Sequence, residues 1–334
     1  MTTAPEATEL ASTRHIERVA VVGTGTIGAS WATHYLARGF DVVATDPAPG
    51  AEAALRSFVD SAWKGAATVG LAPGASRERL RFSADLHDAV AGADFVQENA
   101  PERLEFKVRL FADIDAAAPP NAIIASSSSG ITMSRIQAGC RRPERTVIGH
   151  PFNPPHIIPL VEVVGGARTA PETVEDTMTF YAAIGKRPIR LQKELPGHVA
   201  NRLQAALYRE VAWLIEQGVV DVAAADDAVS WGPGLRWGVM GPNLLWHLGG
   251  GEGGIEHFMG HLMDGLAGMW ETLGTPQLTP ALKQRIVDGV LEEAGGRSVD
   301  ELAAERDAML FDLLATRAEH AVPSHRVPAG GRAS

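Results

Sequence analysis

The sequence predicts an α/β domain over residues 1–195 followed by an all-helical domain over residues 196–334. Three observations carry that expectation. Gly23-Thr24-Gly25-Thr26-Ile27-Gly28 joins an apolar run, 19–22, to a helical stretch, 29–36. Short β-branched runs then alternate with amphipathic stretches, the pattern of a parallel sheet with crossover helices. After Pro196-Gly197 the strand signals stop, and helical periodicity continues between Gly-Pro and Gly-Gly breaks.

The glycine run is the first element to justify. Gly23 permits the tight turn, Gly25 lets a pyrophosphate approach the backbone, and Gly28 lets helix and strand pack closely. Thr26 and Ile27 open the helix whose N-terminus meets the phosphate. A glycine-rich turn without a ligand is the plain alternative. The second strand, 41–45, ends in Asp46, eighteen residues past Gly28, where a carboxylate accepts the adenosine ribose hydroxyls and repels a 2′-phosphate. No arginine follows Asp46 to hold a phosphate. A Rossmann-type domain that binds NAD rather than NADP is expected.

The remaining strands are predicted at 18–22, 94–98, 122–126, 146–150 and 160–164, with 187–191 closing the sheet. Helices are predicted at 28–38, 50–69, 103–116 and 171–184, then over 198–217 and several times within 219–320. Residues 1–14 and 322–334 are small, polar or Pro/Gly-rich and read as frayed ends.

Composition narrows the function class. At 334 residues the chain can bury two cores, and 45% hydrophobic with 21% charged residues is ordinary for a globular protein. Net charge of −10 and a pI of about 5.6 argue against nucleic acid or an anionic membrane as partner. The single cysteine, Cys140, excludes an intrachain disulfide and a cysteine-rich metal site. No apolar run reaches bilayer length, and the first eighteen residues lack the apolar core of a signal peptide. A cytoplasmic enzyme without a metal is the expectation.

The chemistry gathers downstream. A nicotinamide cofactor moves a hydride but no proton, so the protein must supply an acid/base group that works near neutral pH, which is histidine's range. His150 ends a strand and precedes a proline-stiffened loop, Pro151-Phe152-Asn153-Pro154-Pro155. His34, His87, His257 and His261 fall in helix or surface patterns. Glu162 interrupts an apolar strand, so it is expected to be buried and to need a partner. A neighbouring His150 would satisfy it, and Glu162 would in turn fix the imidazole tautomer. A strand-edge glutamate facing water is the alternative.

These motifs stand in an order that resembles the 3-hydroxyacyl-CoA dehydrogenase superfamily over nearly the whole chain, nearest its carnitine 3-dehydrogenase and L-gulonate 3-dehydrogenase (lambda-crystallin) branch. The likeness rests on the glycine run, Gln97-Glu98-Asn99-Ala100-Pro101-Glu102-Arg103-Leu104-Glu105-Phe106-Lys107, Ser126-Ser127-Ser128-Ser129-Gly130, the His150 loop, Leu160-Val161-Glu162-Val163, Asn201-Arg202-Leu203, and Gly234-Leu235-Arg236-Trp237. Spacings of 21 residues from Ser129 to His150, 12 to Glu162 and 39 to Asn201 match as well.

The resemblance implies that His150 is the general base and Glu162 its orienting acid. It also implies that Ser129 and Asn201 hydrogen-bond the reacting oxygen. Glu102, Lys107 and Asn153 correspond to positions around the cofactor's ribose and nicotinamide; a solvated i,i+5 charge pair is the alternative for Glu102 and Lys107. It further implies a homodimer formed through the C-terminal domain.

The substrate is less sharply marked. The segment 47–93 carries one lysine, Lys64, where the acyl-CoA branch has a lysine-rich hairpin; Arg56, Arg77, Arg79 and Arg81 could stand in. A small hydroxy acid needs a cation for its carboxylate, and Arg236 is the candidate; an interhelical salt bridge is its other reading. Five of seven tryptophans lie beyond residue 210, and indole faces attract quaternary ammonium groups. The stretch 249–258 is nearer the carnitine branch. The favoured expectation is oxidation of a small 3-hydroxy acid, carnitine-like or gulonate-like. A 3-hydroxyacyl-CoA or polyketide β-keto substrate is the alternative, and a catalytically inactive nucleotide-binding protein the third.

Overall fold

The computed structural model describes residues 15–320; the reading of 1–14 and 322–334 as frayed ends lies outside them. The chain divides into two compact units between Val199 and Ala200.

The first unit is built on an eight-stranded sheet. Its strands are β1 (Arg18–Val22), β2 (Asp41–Thr45), β3 (Leu80–Phe82), β4 (Phe95–Glu98), β5 (Ile123–Ser126), β6 (Thr146–Pro151), β7 (Leu160–Gly165) and β8 (Arg187–Arg190). The order across the sheet is β3-β2-β1-β4-β5-β6-β7-β8. Order reverses between β1 and β4, which opens a crevice at their carboxyl ends where such sheets bind ligands. β1 to β6 run parallel, whereas β7 runs antiparallel to β6. The wholly parallel pattern read from the sequence therefore fails at that seam. Only eight residues separate β6 from β7, too few for a crossover helix.

Helices α1 (Thr26–Ala37), α2 (Ala51–Val69), α3 (Leu86–Val90), α4 (Leu104–Ala117), α5 (Met133–Ile136) and α6 (Pro171–Ala183) connect the strands. Alternation along the strands feeds two cores. Val19, Val21, Ile123 and Val147 join Trp31, Tyr35 and Tyr181 on one face; Ala20, Val22, Ile124 and Ile148 join Phe111, Ile114 and Met133 on the other. β3 and α3 were not anticipated: three residues are too short to show alternation, and α3 is announced only by its Asp85 cap, which accepts from His87 N at 2.7 Å.

One buried network ties the first core to the strand ends. Gln97 Oε1 accepts from Tyr35 at 3.0 Å and from Tyr181 at 2.6 Å. Its Nε2 donates to Ser127 Oγ at 2.9 Å and to the Gly149 carbonyl at 3.3 Å. Gly149 is the glycine it must be, because an added Cβ would lie 2.1 Å from the Tyr181 phenol.

The second unit is helical: α7 (Ala200–Glu216), α8 (Val222–Ser230), α9 (Pro233–Trp237), α10 (Pro242–Gly249), α11 (Gly254–His261), α12 (Met263–Trp270), α13 (Pro280–Ala294) and α14 (Val299–Glu319). Asp221 caps α8, Thr279 caps α13, and Ser298 with Glu301 forms a capping box on α14. Its buried cluster is small, Ile215, Val222, Ala225 and Leu282. Leu203, Trp231, Leu248 and Trp270 are at least 60% exposed. No helix among the described residues is long and apolar enough to cross a membrane.

Candidate active site

The glycine turn leaves β1 with Gly23 in a left-handed conformation (φ 87). A Cβ on Gly28 would fall 1.9 Å from the Gly23 carbonyl oxygen, so Gly28 is required by helix–strand packing. Gly25 differs. Its φ of −63 suits any residue, and an added Cβ would meet no protein atom within 4 Å. No side chain caps the first turn of α1, where Thr26 and Ile27 lie. An uncapped helix N-terminus beside an open glycine fits a pyrophosphate.

Asp46 closes the turn from β2. Its Oδ2 accepts from Thr24 N at 2.8 Å and Thr24 Oγ1 at 3.2 Å, and its Oδ1 from Ala48 N at 2.9 Å. It lines an open groove of about 690 Å³ with Pro47, Arg56, Phe82 and Ala84. The fold thus brings an arginine beside Asp46 from ten residues on, but Glu52 holds Arg56 through two hydrogen bonds of 3.0 and 2.8 Å.

The next group lies at the ends of β4 and β5. Lys107, read from the sequence as cofactor-facing or as a solvated charge, is buried. Its Nζ donates to Glu98 Oε1 at 2.7 Å and to the Ala100 carbonyl at 3.0 Å, and lies 3.7 Å from Glu102 Oε2. Glu98 also accepts from Ser126 Oγ at 2.6 Å. Glu102 accepts from Ser128 Oγ at 2.7 Å, Gly130 N at 2.8 Å and Ile131 N at 3.2 Å. Burial works to raise the Glu102 carboxyl, but these donors and the Lys107 charge outweigh it and hold it below the usual range.

The four serines therefore differ. Ser126, Ser127 and Ser128 spend their hydroxyls on Glu98, Asn99 and Glu102. Among the described residues the half-buried Ser129 hydroxyl has no protein partner, which leaves it available to a ligand.

His150 and Glu162 are partners across the β6–β7 seam. Glu162 lies on the opposite face from Val161 and Val163 and is fully buried. His150 Nδ1 meets Glu162 Oε2 at 2.8 Å, and Glu162 Oε1 accepts from Val199 N at 2.8 Å. With both oxygens occupied, the carboxylate holds the imidazole with Nε2 free for acid/base work. Asn153 is exposed in the loop beyond, before the cis bond to Pro154.

Asn201 and Arg236 belong to the second unit. Asn201 is half-buried in the first turn of α7, and Arg236 is exposed on α9 with no carboxylate partner among the described residues. The interhelical salt bridge considered for Arg236 is absent there.

Sequence reasoning missed His198, a buried imidazole whose ring centroid lies 5.0 Å from that of His150. It stood at the start of a predicted helix and read as a helix residue; Pro196-Gly197 before it was the signal of a turn.

Residues 18–195 match the NAD-binding domain of 3-hydroxyacyl-CoA dehydrogenase, and residues 197–299 match its C-terminal domain. The chain belongs to the 3-hydroxyacyl-CoA dehydrogenase family. It is an NAD-dependent dehydrogenase of that family, and NAD is its cofactor. The chain is 50% identical over 299 residues to an L-carnitine dehydrogenase of Streptomyces griseus, covering 90% of this chain and 89% of that one. It is 48% identical over 309 residues to an L-carnitine dehydrogenase of Pseudomonas aeruginosa, covering 91% and 96%. Among solved structures, an NAD⁺-dependent dismutase, 5-formyl-3-hydroxy-2-methylpyridine 4-carboxylic acid 5-dehydrogenase, superimposes with a TM-score of 0.78 at 33% identity, over 91% of this chain and 99% of that one. Against this membership the third expectation, an inactive nucleotide-binding protein, falls away.

Proposed function

We propose that this dehydrogenase oxidises L-carnitine, or a closely similar small 3-hydroxy acid, to the 3-keto acid. The observation that carries the chemistry is the buried His150–Glu162 pair at the carboxyl edge of the sheet. Identity near one-half to L-carnitine dehydrogenases over nine-tenths of the chain supports the substrate.

The glycine turn Gly23, Gly25, Thr26, Ile27 and Gly28 would hold the pyrophosphate, and Asp46 the adenosine ribose. Glu102 and Lys107 would shape the wall beside the nicotinamide ribose, with Asn153 at its edge. NAD bound there supplies a hydride acceptor. His150 Nε2 takes the substrate hydroxyl proton, and Glu162 stabilises the imidazolium that results. Ser129 donates to the reacting oxygen, and Asn201 takes the second donor role that the family resemblance gives it. Each donor aimed at developing charge contributes on the order of 3 kcal/mol.

A free acid fits better than a CoA thioester. Arg56, Arg77, Arg79 and Arg81 are each paired with an acid, Glu52, Asp60, Asp41 and Asp88, at 2.8, 2.6, 3.1 and 2.7 Å. None is an idle cation for CoA phosphates. Arg236 has no acid partner among the described residues, and we assign it the substrate carboxylate. The thin core and exposed apolar side chains of the second unit support a homodimer through its helices. Acidic charge and a single cysteine support a cytoplasmic enzyme.

The test is a spectrophotometric comparison with NAD of L-carnitine, L-gulonate, 3-hydroxybutyrate and 3-hydroxybutyryl-CoA. L-Carnitine should give the highest kcat/KM. Preference for the thioester would overturn the substrate assignment.

A further inference from the structure

Among the described residues, His198 is the one non-glycine with a left-handed backbone (φ 49), a conformation that crowds Cβ against the following carbonyl oxygen. Its side chain carries a second cost. The residue is 1% exposed, and its Nδ1 is buried without a hydrogen-bond partner among the described residues. Glycine would relieve the backbone and phenylalanine would remove the stranded nitrogen. Two penalties at one residue beside the general base call for something that neither glycine nor phenylalanine supplies.

That something is the Nε2–H, which donates to the Ser128 carbonyl at 2.9 Å. A carbonyl only accepts, so Nε2 bears the proton and Nδ1 the lone pair. The Ser128 carbonyl belongs to the peptide unit that carries the Ser129 N–H, so this bond fixes the plane from which Ser129 projects. One residue on, Val199 N–H donates to Glu162 Oε1 at 2.8 Å. The His198 ring packs on His150 at 5.0 Å and 40°. Two consecutive residues therefore grip the serine loop on one side and the acid/base pair on the other. The left-handed turn, closed by His198 N on the Leu195 carbonyl at 3.0 Å, lets the ring and the next amide reach both.

We propose that His198 is a positioning residue, which fixes the spacing between the Ser129 hydroxyl and His150 and so aligns donor and base on the same substrate oxygen. The inference rests on the roles proposed above for Ser129 and His150. Burial lowers the His198 pKa, against the raising effect of its bond to Ser128 and of Glu162 and Glu102, while the His150 charge lowers it further. The ring stays neutral and does not compete with His150 for the proton.

Three variants of the full chain test this. His198→Phe keeps a ring beside His150 without a donor. His198→Gln places an amide N–H near the position of Nε2, and His198→Asn tolerates the left-handed backbone but is too short. The Phe and Asn variants should lose about tenfold in kcat, the loss of one hydrogen bond's alignment, with substrate KM and NAD affinity within about twofold; Gln should recover most of it. Equal kcat in all three, a loss confined to KM, or no difference between Gln and Asn would overturn the proposal. If the Phe variant does not fold, the Gln–Asn comparison decides alone. A wild-type enzyme that oxidises another 3-hydroxy acid instead of L-carnitine leaves this inference standing on that substrate. A His150→Gln variant with wild-type turnover removes the base assignment whatever the His198 variants show.

Discussion

His150 and Glu162 stand directly opposite each other in the antiparallel β6–β7 ladder, with their side chains 2.8 Å apart on one face of the sheet. Directly opposed residues of an antiparallel pair project to the same side at close range. The reversal at β7 is therefore what lets two strand residues, rather than two loop residues, form the acid/base pair. The backbone ladder fixes both, and Val199 N–H occupies the remaining carboxylate oxygen.

His150→Gln should lower kcat by about two orders of magnitude or more, through loss of general-base chemistry. NAD affinity, measured by fluorescence titration, should be unchanged, since the glycine turn lies between β1 and α1, away from His150 on β6. Near-normal turnover would remove His150 from the mechanism.

Ser129→Ala and Ser127→Ala should part company. Ser129 should lose kcat on the order of a hundredfold, the effect of one donor to a developing oxyanion. Ser127 links Asn99 and Gln97, so its loss should lower the melting temperature more than kcat. Equal kinetic effects would place the oxygen-binding role elsewhere in the serine run.

Asp46→Ala should erode the preference for NAD over NADP, because the carboxylate that repels a 2′-phosphate is gone. KM for NAD should rise as well, since Thr24 loses its acceptor. An unchanged NAD/NADP ratio would show that Asp46 holds the turn without reading the ribose.

Arg236→Met should raise KM for a carboxylate substrate while leaving the melting temperature in place, because the exposed guanidinium has no acid partner to lose among the described residues. An unaltered KM would leave the substrate carboxylate without its cation.

Lys186 gives a pH prediction. It is buried, donates to the Pro155 carbonyl and to that of Ile158 at 3.3 Å, and sits over the Trp31 ring at 5.1 Å. Burial, then the Arg38 charge, pushes its pKa down to about 7, against about 10.4 for an unfolded lysine. Below the folded value both states carry the proton. Between the two values only the unfolded chain does, so the lysine's destabilising effect fades as pH rises through that window. Wild-type stability by urea unfolding should gain on that of Lys186→Met between about pH 7 and 10. A constant difference would mean that the ammonium keeps its proton when folded.

Much of this fold was legible because its signals are periodic. The strands of the first unit other than β3 announced themselves in the residue pattern, and the contact between Glu162 and His150 followed from one acid in an apolar strand needing a partner. What was not legible depended on long-range geometry. The direction of β7 is set by the short connection and by where β6 lies. Lys107 looks like a surface charge until Glu98, on the neighbouring strand, is seen beneath it. His198 was hidden because Pro196-Gly197 signals a turn there without declaring which residue takes the left-handed angle.

The Gln97 network carries a last consequence. The phenols of Tyr35 and Tyr181, deep in the apolar core, share one amide that also grips the carbonyl next to His150. Core and base are members of a single truss, so a substitution far from any ligand, such as Tyr181→Phe, would register in turnover as well as in melting.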